Sequence, residues 1–288
     1  MKPAPFEYFA PETLEGVIDT LARFGEAARP LAGGQSLMPL LNMRLVQPRA
    51  VVDIARCKEL GALKDDGAHI RLGAMVRQAT AERSEIVRRH CPLLAMTLPH
   101  VGGMANRNRG TVCGSLAHAD PLAELPAVAL ALDAEFVIAG TTGQRRVAAR
   151  DFFVSALTTA VRPGELLESV LFPKAGPTSK AVFLEVGNRR HGFATVGLAL
   201  QVDRASQGRM TNVRLAAIGA SPTPVRLSAS EHILEGQVPS DEIMRAARAA
   251  ADEDIDPPTD IHASAAYRRR VLGTLVERAV TALAQSTH

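Results

Sequence analysis

The chain has 288 residues, of which 47% are hydrophobic and 22% charged, with a formal net charge of +3. That length leaves room for about two domains and a sizeable core. The mild charge, 4% aromatic content and lack of Trp argue against a nucleic-acid partner. The opening "MKPAPFEYFAPETLEG" has no continuous apolar stretch of the kind a secretory signal needs. No run approaches the ~18 uninterrupted apolar residues of a membrane span. Cys57, Cys91 and Cys113 are widely spaced, with no CxxC, which excludes a disulfide framework, a structural zinc site and a cysteine-ligated cluster. A reducing cytoplasm is the expected location. The tight basic group "RRR" at 268–270 reads as a solvated helix face.

In chain order, Leu14, Val17, Ile18 and Leu21 fall at helical spacing, with Gly25 placed as a C-cap. "ARPLAGG" reads as a short strand entering a glycine turn. Ser36 stands where it could cap a following helix through Met38, Leu41 and Leu45. "RAVVDIA" and "HIRLGAM" read as strands, and "QATAERSEIVRRHCPLLAMTL" as helix interrupted at Pro92. "PLAELPAVALAL" reads as a buried helix, "AEFVIAG" and "QRRVAAR" as a hairpin joined by "TTG", and "ELLESVLFP" as a strand ending at Pro173. The Pro/Gly/Lys-rich "PKAGPTSK" at 173–180 is the most linker-like segment and marks the expected domain boundary. Beyond it, "KAVFLEV", "ATVGLALQV" and "MTNVRLAAIG" read as strands, with helices near 228–235, 240–252 and 263–284. Strands followed by helices predict an α+β domain with helices on one face of an antiparallel sheet.

Two glycine motifs bear on chemistry. In the first, Gly33 and Gly34 are followed at once by Gln35 and Ser36. An adjacent glycine pair lets the backbone reach φ > 0 and lets a ligand come close. Successive N–H groups can then face one concavity and bind anionic oxygen without a lysine. Ser36 would add a hydroxyl near a helix N-terminus. A plain strand-to-helix turn is the alternative for this loop taken alone. The second motif, "TVCGSLAHADPLAE", lies about eighty residues on and reads as a small-residue turn flanked by Thr111 and Ser115, with Ala117, His118, Asp120 and Glu124 after it. Its hydroxyls could reach phosphate or ribityl oxygens, and a carboxylate could accept from a ribityl or ribose hydroxyl; a Gly/Ser loop ending in a DP turn is the alternative. The better-known phosphate signatures GxxxxGK[ST] and GxGxxG are absent. His100, His118 and His191 are too scattered to suggest a metal site.

Together the two motifs resemble those of the FAD-binding medium subunits of the molybdenum hydroxylases. That group includes the carbon monoxide dehydrogenase medium subunit and the xanthine dehydrogenase flavin domain. The family's AGG-(Q/H/T)-S stands here as Ala32-Gly33-Gly34-Gln35-Ser36, and its (T/S)-(I/V)-G-G-(N/S)-(L/I) as Thr111 to Leu116, followed by "AHADP". The resemblance runs on through "PGELLESVLFP", "RRHGFATVGLAL" and "YRRRVLGTLVERAV", nearly the whole chain. Cys113 replaces the motif's first glycine, so its φ must be one that a side chain tolerates. Asn106 replaces a usually apolar position, Glu124 stands for a common aspartate, and "HGFA" is shorter than the family's G-D-(F/Y)-A.

The resemblance implies an α+β chain: a two-lobed, vanillyl-alcohol-oxidase (PCMH)-type FAD-binding domain over 1–175, then an α+β C-terminal domain over 176–288. It implies that Leu31, Ala32, Gly33, Gly34, Gln35, Ser36 and Leu37 wrap the FAD pyrophosphate. Thr111, Gly114, Ser115, Ala117, His118 and Asp120 would contact it and the ribityl chain, with Glu124 facing the ribityl or ribose hydroxyls. Val101 and Gly102 would also touch the flavin, Leu166 and Leu167 would line the adenine pocket, and Phe193 would sit near the isoalloxazine ring. FAD would be the electron exit for a large molybdopterin-binding subunit and a small subunit with two [2Fe–2S] clusters, in a heterotrimer or a dimer of heterotrimers. A stand-alone flavin oxidase, with His118 as a covalent attachment point, and a non-enzymatic nucleotide-binding scaffold are the alternatives.

Overall fold

A computed structural model describes residues 2–189 and 192–285. The chain opens with β1 (Glu7–Phe9), α1 (Leu14–Phe24), β2 (Ala28–Leu31), α2 (Leu37–Asn42) and β3 (Ala50–Asp53). The apolar spacing of α1 buries Val17, Ile18 and Leu21; the Thr13 hydroxyl accepts from the Gly16 N–H, and Gly25 closes the helix at φ 52°. The three strands pair in parallel in the order β1-β3-β2. Helix α2 is shorter than its apolar spacing predicts. It stops at Asn42, where Arg44 takes φ 57° and the Leu45 N–H turns back to the Leu40 carbonyl at 2.9 Å, and Leu45 is left 67% exposed.

Next come β4 (Leu63–Asp66), β5 (His69–Gly73) and three short helices, α3 (Gln78–Arg83), α4 (Glu85–His90) and α5 (Pro92–Thr97). The expected break at Pro92 is there, with the proline in the first turn of α5, where its missing N–H costs nothing. A second break falls at Ser84, whose hydroxyl accepts from the Val87 N–H and starts α4. Helices α6 (Met104–Arg109), α7 (Val112–His118) and α8 (Glu124–Ala131) follow. All eight residues of α8 are buried, which is why its sequence shows no polar face. Then come β6 (Glu135–Gly140), β7 (Gly143–Ala148), α9 (Ala149–Phe152), β8 (Phe153–Ser155), β9 (Thr158–Thr159) and β10 (Leu166–Pro173). Strands β4 to β7 and β10 build a second, antiparallel sheet in the order β4-β5-β10-β6-β7, and β8 pairs with β9 apart from it.

The remaining chain forms an antiparallel sheet of β11 (Ser179–Gly187), β12 (Ala194–Arg204), β13 (Met210–Ile218) and β14 (Val225–Arg226). Helices α10 (Ser228–Leu234), α11 (Asp241–Ala250) and α12 (Ala265–Gln285) complete it. Antiparallel sheets commonly leave one face to water. This one is covered on both: Val196, Leu198 and Leu200 join a core with Leu272 and Val276 of α12, while Phe183, Ala199 and Ala216 join the core of the first 173 residues. Strand β12 is therefore buried without a break from Ala194 to Val202 rather than alternating. The double coverage places α5 and α8 directly against the C-terminal sheet.

The "RRR" reading needs correction. Arg268 is fully buried, and only Arg270 of the trio is exposed. A guanidinium is tolerated there because one terminal nitrogen is paired with Asp260 at 2.7 Å and the other meets two backbone carbonyls, while Nε is buried without a partner among the described residues.

Candidate functional site

The first glycine motif emerges from the end of β2. Leu31 still belongs to the parallel sheet, and its carbonyl accepts from the Ile54 N–H at 3.1 Å. Past that bond the backbone leaves the sheet. Among the described residues, none accepts a hydrogen bond from any N–H between Ala32 and Leu37. Gly34 takes φ +73°, the turn that permits this, and the Gln35 amide donates back to the Gly33 carbonyl at 3.1 Å. Ser36 stands at the N-cap position of α2 with its hydroxyl making no capping bond, contrary to the expected cap. Its φ/ψ of −102°/−48° is already helical, which swings Oγ away from the N–H groups it would have to meet. The six-residue α2 adds little dipole, so the donors here are backbone amides and a free-standing hydroxyl.

The second motif is not a turn. Val112 to His118 is the helix α7, capped by the Thr111 hydroxyl, which accepts from the Gly114 N–H at 2.9 Å. Thr111 is 2% exposed, so its oxygen serves the helix. Cys113 sits inside α7 with its backbone in the helical range, which meets the condition set by its replacing a glycine. Its thiol is buried, packs at 3.4 Å from the Leu72 carbonyl, and is pushed up to about 12 by burial, far from a reactive thiolate. Gly114, Ser115 and His118 are half-buried and Ala117 is exposed; the Ser115 hydroxyl and the His118 ring make no side-chain bond among the described residues. Ala119 ends the helix in the left-handed conformation, φ 51°, and Asp120 then accepts from the Leu122 N–H at 2.9 Å.

Tertiary structure brings the two motifs together. A side chain at Gly33 would begin 2.3 Å from the Arg109 carbonyl oxygen and 2.7 Å from Gly110 Cα, so the first loop lies directly on the backbone that leads into α7. A Cβ on Gly114 would come within 4.0 Å of Ala32. That backbone is held from behind by the start of α3 and the two residues before it: the Gln78 N–H donates to the Gly110 carbonyl at 2.9 Å, the Val112 N–H to the Val76 carbonyl at 3.1 Å, and the Arg77 guanidinium to the Arg109 carbonyl. Close-packed glycines beside a run of unclaimed amides form a concavity suited to an anionic group.

Around this core lie the other predicted positions. Val101 is buried and Gly102 takes φ +50°. Both are fixed by Arg107, which is 8% exposed and donates to the carbonyls of Pro99, Val101 and Gly102 while pairing with Glu82 at 2.8 Å. Glu124 is 6% exposed at the first position of α8, with no side-chain bond to another described residue. Burial pushes its carboxyl up to about 8; Glu185 and Asp120 push the same way and His100 opposes them. His100 Nδ1 lies 3.0 Å from Glu185 Oε1, and that bond holds the imidazole above its usual value. Glu185 Oε2 is buried without a partner. Glu124, His100 and Glu185 thus form a polar cluster between α8 and the C-terminal sheet. Sequence reasoning found Glu124 alone, since a hydrogen bond spanning 85 residues leaves no local signal.

Leu166 and Leu167 are buried in β10, paired with Ala139 and Ile138 of β6, inside the first core rather than on an open wall. Phe193 is 71% exposed, one residue before β12, at the tip of the β11–β12 hairpin. Arg190 and His191, the rest of that motif, lie outside the described residues. The chain around Asp120 is tied to other parts of the fold: the Ala119 carbonyl accepts from the Leu157 N–H and the Pro121 carbonyl from the Gly219 N–H, both at 3.0 Å. Among the described residues no helix is long and apolar enough to cross a membrane.

Comparison with known proteins identifies the family. Residues 4–175 match the family model described as the FAD binding domain in molybdopterin dehydrogenase, and residues 181–283 match the CO dehydrogenase flavoprotein C-terminal domain. The chain is 36% identical to the 6-hydroxypseudooxynicotine dehydrogenase complex subunit alpha of Paenarthrobacter nicotinovorans, over 100% of this chain and 96% of that one. It is 32% identical to the carbon monoxide dehydrogenase medium chain of Hydrogenophaga pseudoflava, over 98% of each. A solved carbon monoxide dehydrogenase from Hydrogenophaga pseudoflava superposes with a TM-score of 0.95 at 32% identity over 98% of both chains. The quinoline 2-oxidoreductase of Pseudomonas putida 86 superposes at 0.93, with 34% identity over 99% of both chains. The resemblance read from the glycine motifs therefore holds over the full length, and the chain belongs to the FAD-binding medium subunits of the molybdenum hydroxylases, oxidoreductase components whose cofactor is FAD.

Proposed function

We propose that this chain carries electrons from [2Fe–2S] clusters of a small partner subunit, through its FAD, to an external acceptor. A large molybdopterin-binding subunit would oxidise the substrate, in a heterotrimer or a dimer of heterotrimers located in the cytoplasm. The observation that carries the reading is the convergence of the two glycine motifs: the unclaimed amides of Ala32 to Leu37 lie against the Arg109–Gly110 backbone that leads into α7. Such a donor set fits a pyrophosphate, which offers anionic oxygens on several sides. Bound FAD supplies the redox chemistry, and the chain's own residues bind and orient it.

In this reading Leu31 to Leu37 hold the pyrophosphate through backbone N–H groups and the Ser36 hydroxyl. Thr111 and Gly114 keep α7 in register, so that Ser115, Ala117, His118 and Asp120 face the linker between pyrophosphate and ring. Glu124, protonated at neutral pH, donates to or accepts from a ribityl hydroxyl without bringing a second buried charge into the site. Val101 and Gly102, held by Arg107, form one wall, Leu166 and Leu167 back the adenine end, and Phe193 at the hairpin tip covers the isoalloxazine. The same reading divides the chain at 175/176.

The test is an absorbance spectrum of the purified protein, repeated on the supernatant after acid precipitation. Bands near ~370 and ~450 nm that move to the supernatant are the expected result for non-covalent flavin. Flavin left in the pellet would instead point to covalent attachment. A colourless protein that takes up no added FAD would remove the electron-transfer role. Flavin reduction by the isolated small subunit, poised reduced, is the expected sign of the electron route; its failure in an assembled complex would refute that route.

A further inference from the structure

Arg268, fully buried in the first turn of α12, is joined to three places at once. One terminal nitrogen donates to the Thr195 carbonyl at 2.5 Å and to the Gly219 carbonyl at 3.1 Å. The other donates to Asp260 at 2.7 Å, and Asp260 is itself set by the N–H groups of His262 and Ala263. The two carbonyls are not arbitrary. Thr195 lies two residues after Phe193 at the start of β12, so its backbone fixes where the hairpin tip begins. The Gly219 N–H donates to the Pro121 carbonyl, next to Asp120. Gly219 has no room for a side chain: a Cβ would lie 2.2 Å from the Thr195 oxygen, and its φ is +69°. The guanidinium therefore closes a junction where β12, the end of β13 and the loop after α7 meet.

A planar fork can hold two carbonyls and a carboxylate in one fixed arrangement, whereas a lysine ammonium offers a single mobile point. A buried charge is a costly way to join two strands if apolar packing would serve. We infer that Arg268 is a positioning residue for the flavin, setting the Phe193 tip and the Asp120–Pro121 loop at a fixed separation across the cofactor. This rests on the flavin site proposed above.

The experiment compares the wild-type holoprotein with Arg268→Lys, and with Arg270→Met as an exposed control on the same helix. Arg268→Lys is expected to weaken FAD retention about tenfold or more, the loss of at least one charged hydrogen bond. The visible circular dichroism of the flavin that remains should change, and exchange at the Gly219 N–H should quicken. Arg270→Met should leave all three unchanged. A purely structural arginine would lower the melting temperature while the folded protein kept wild-type flavin affinity and visible dichroism; that result overturns the inference. Should lysine not be accommodated, Arg268→Gln removes both charge and bridge and is read the same way. A wild-type protein that binds no FAD would sink the flavin site itself, whereas equal binding by wild type and Arg268→Lys would sink only the role of Arg268.

Discussion

The two glycine motifs look alike in sequence and behave differently in the fold. The first is open backbone: six consecutive N–H groups without an acceptor among the described residues, shaped by one left-handed glycine. The second spends its polar groups internally, with the Thr111 hydroxyl on the Gly114 N–H and its small residues wound into α7. A glycine-rich stretch can thus present donors or can let another stretch come close, and only the fate of its N–H groups tells which. The first motif acts as donor, and the second as the platform on which that donor rests.

The sharpest way to break this pairing is Gly33→Val. Its Cβ would meet the Arg109 backbone at 2.3 Å, so the two motifs must separate. Flavin retention should be lost, with a stability cost of about 1–3 kcal/mol as expected for overpacking, read from flavin content and a melting curve. Gly34→Val strikes the donor loop alone. Its φ of +73° and the Met38 side chain 3.2 Å away make the change a local strain of about 1–2 kcal/mol. Flavin should again be lost, but far-UV dichroism should stay close to wild type; full FAD occupancy in this variant would show that the loop is not the cradle. Thr111→Val tests the platform. It leaves the Gly114 N–H without its cap, for about 1 kcal/mol, or roughly 2–4 °C in melting temperature for a chain of this size. Flavin binding should weaken less than in either glycine variant.

At acid pH the smallest effect is expected from Glu124→Gln, and it grows as the pH rises. Burial raises the Glu124 carboxyl from its usual value to about 8 in the folded protein. The folded state therefore binds the proton more tightly than the unfolded one. Stability from this group is complete below pH ~4.5 and declines as pH rises towards about 8. Glutamine cannot ionise, so in flavin-free protein the variant should match wild type near pH 5 and melt higher near pH 9. A constant difference across that range would mean that Glu124 is not the titrating group.

Much of the fold was legible because local chemistry writes it locally. The apolar spacing of α1, the hairpin at "TTG" and the β-branched run of β3 each depend on neighbours a few residues away. Where the reading slipped, distant partners had intervened. "RRR" looked like a solvated face until Thr195 and Gly219, 73 and 49 residues away, supplied the carbonyls that make a buried guanidinium tolerable. "TVCGSL" looked like a turn because glycine and serine are poor helix formers, yet its Thr111 cap and its packing against β5 and β10 hold it helical. Ser36 has the residue type and position of a cap, and the loop conformation denies it the bond.

The sequence alone determined the kind of ligand and the kind of protein. The motifs AGGQS and TVCGSL, with the later ones in order over nearly the whole chain, carried the resemblance that implied an FAD-binding medium subunit, whereas the glycine pair by itself left a plain turn open. Tertiary structure decided what no window of sequence contains. It laid Gly33 on the Arg109–Gly110 backbone, set His100 against Glu185 beside a buried Glu124, and drove Arg268 between β12 and β13. Each is a contact between segments far apart in the chain, and whether a polar group is exposed, satisfied or charged depends on such contacts rather than on its neighbours in sequence.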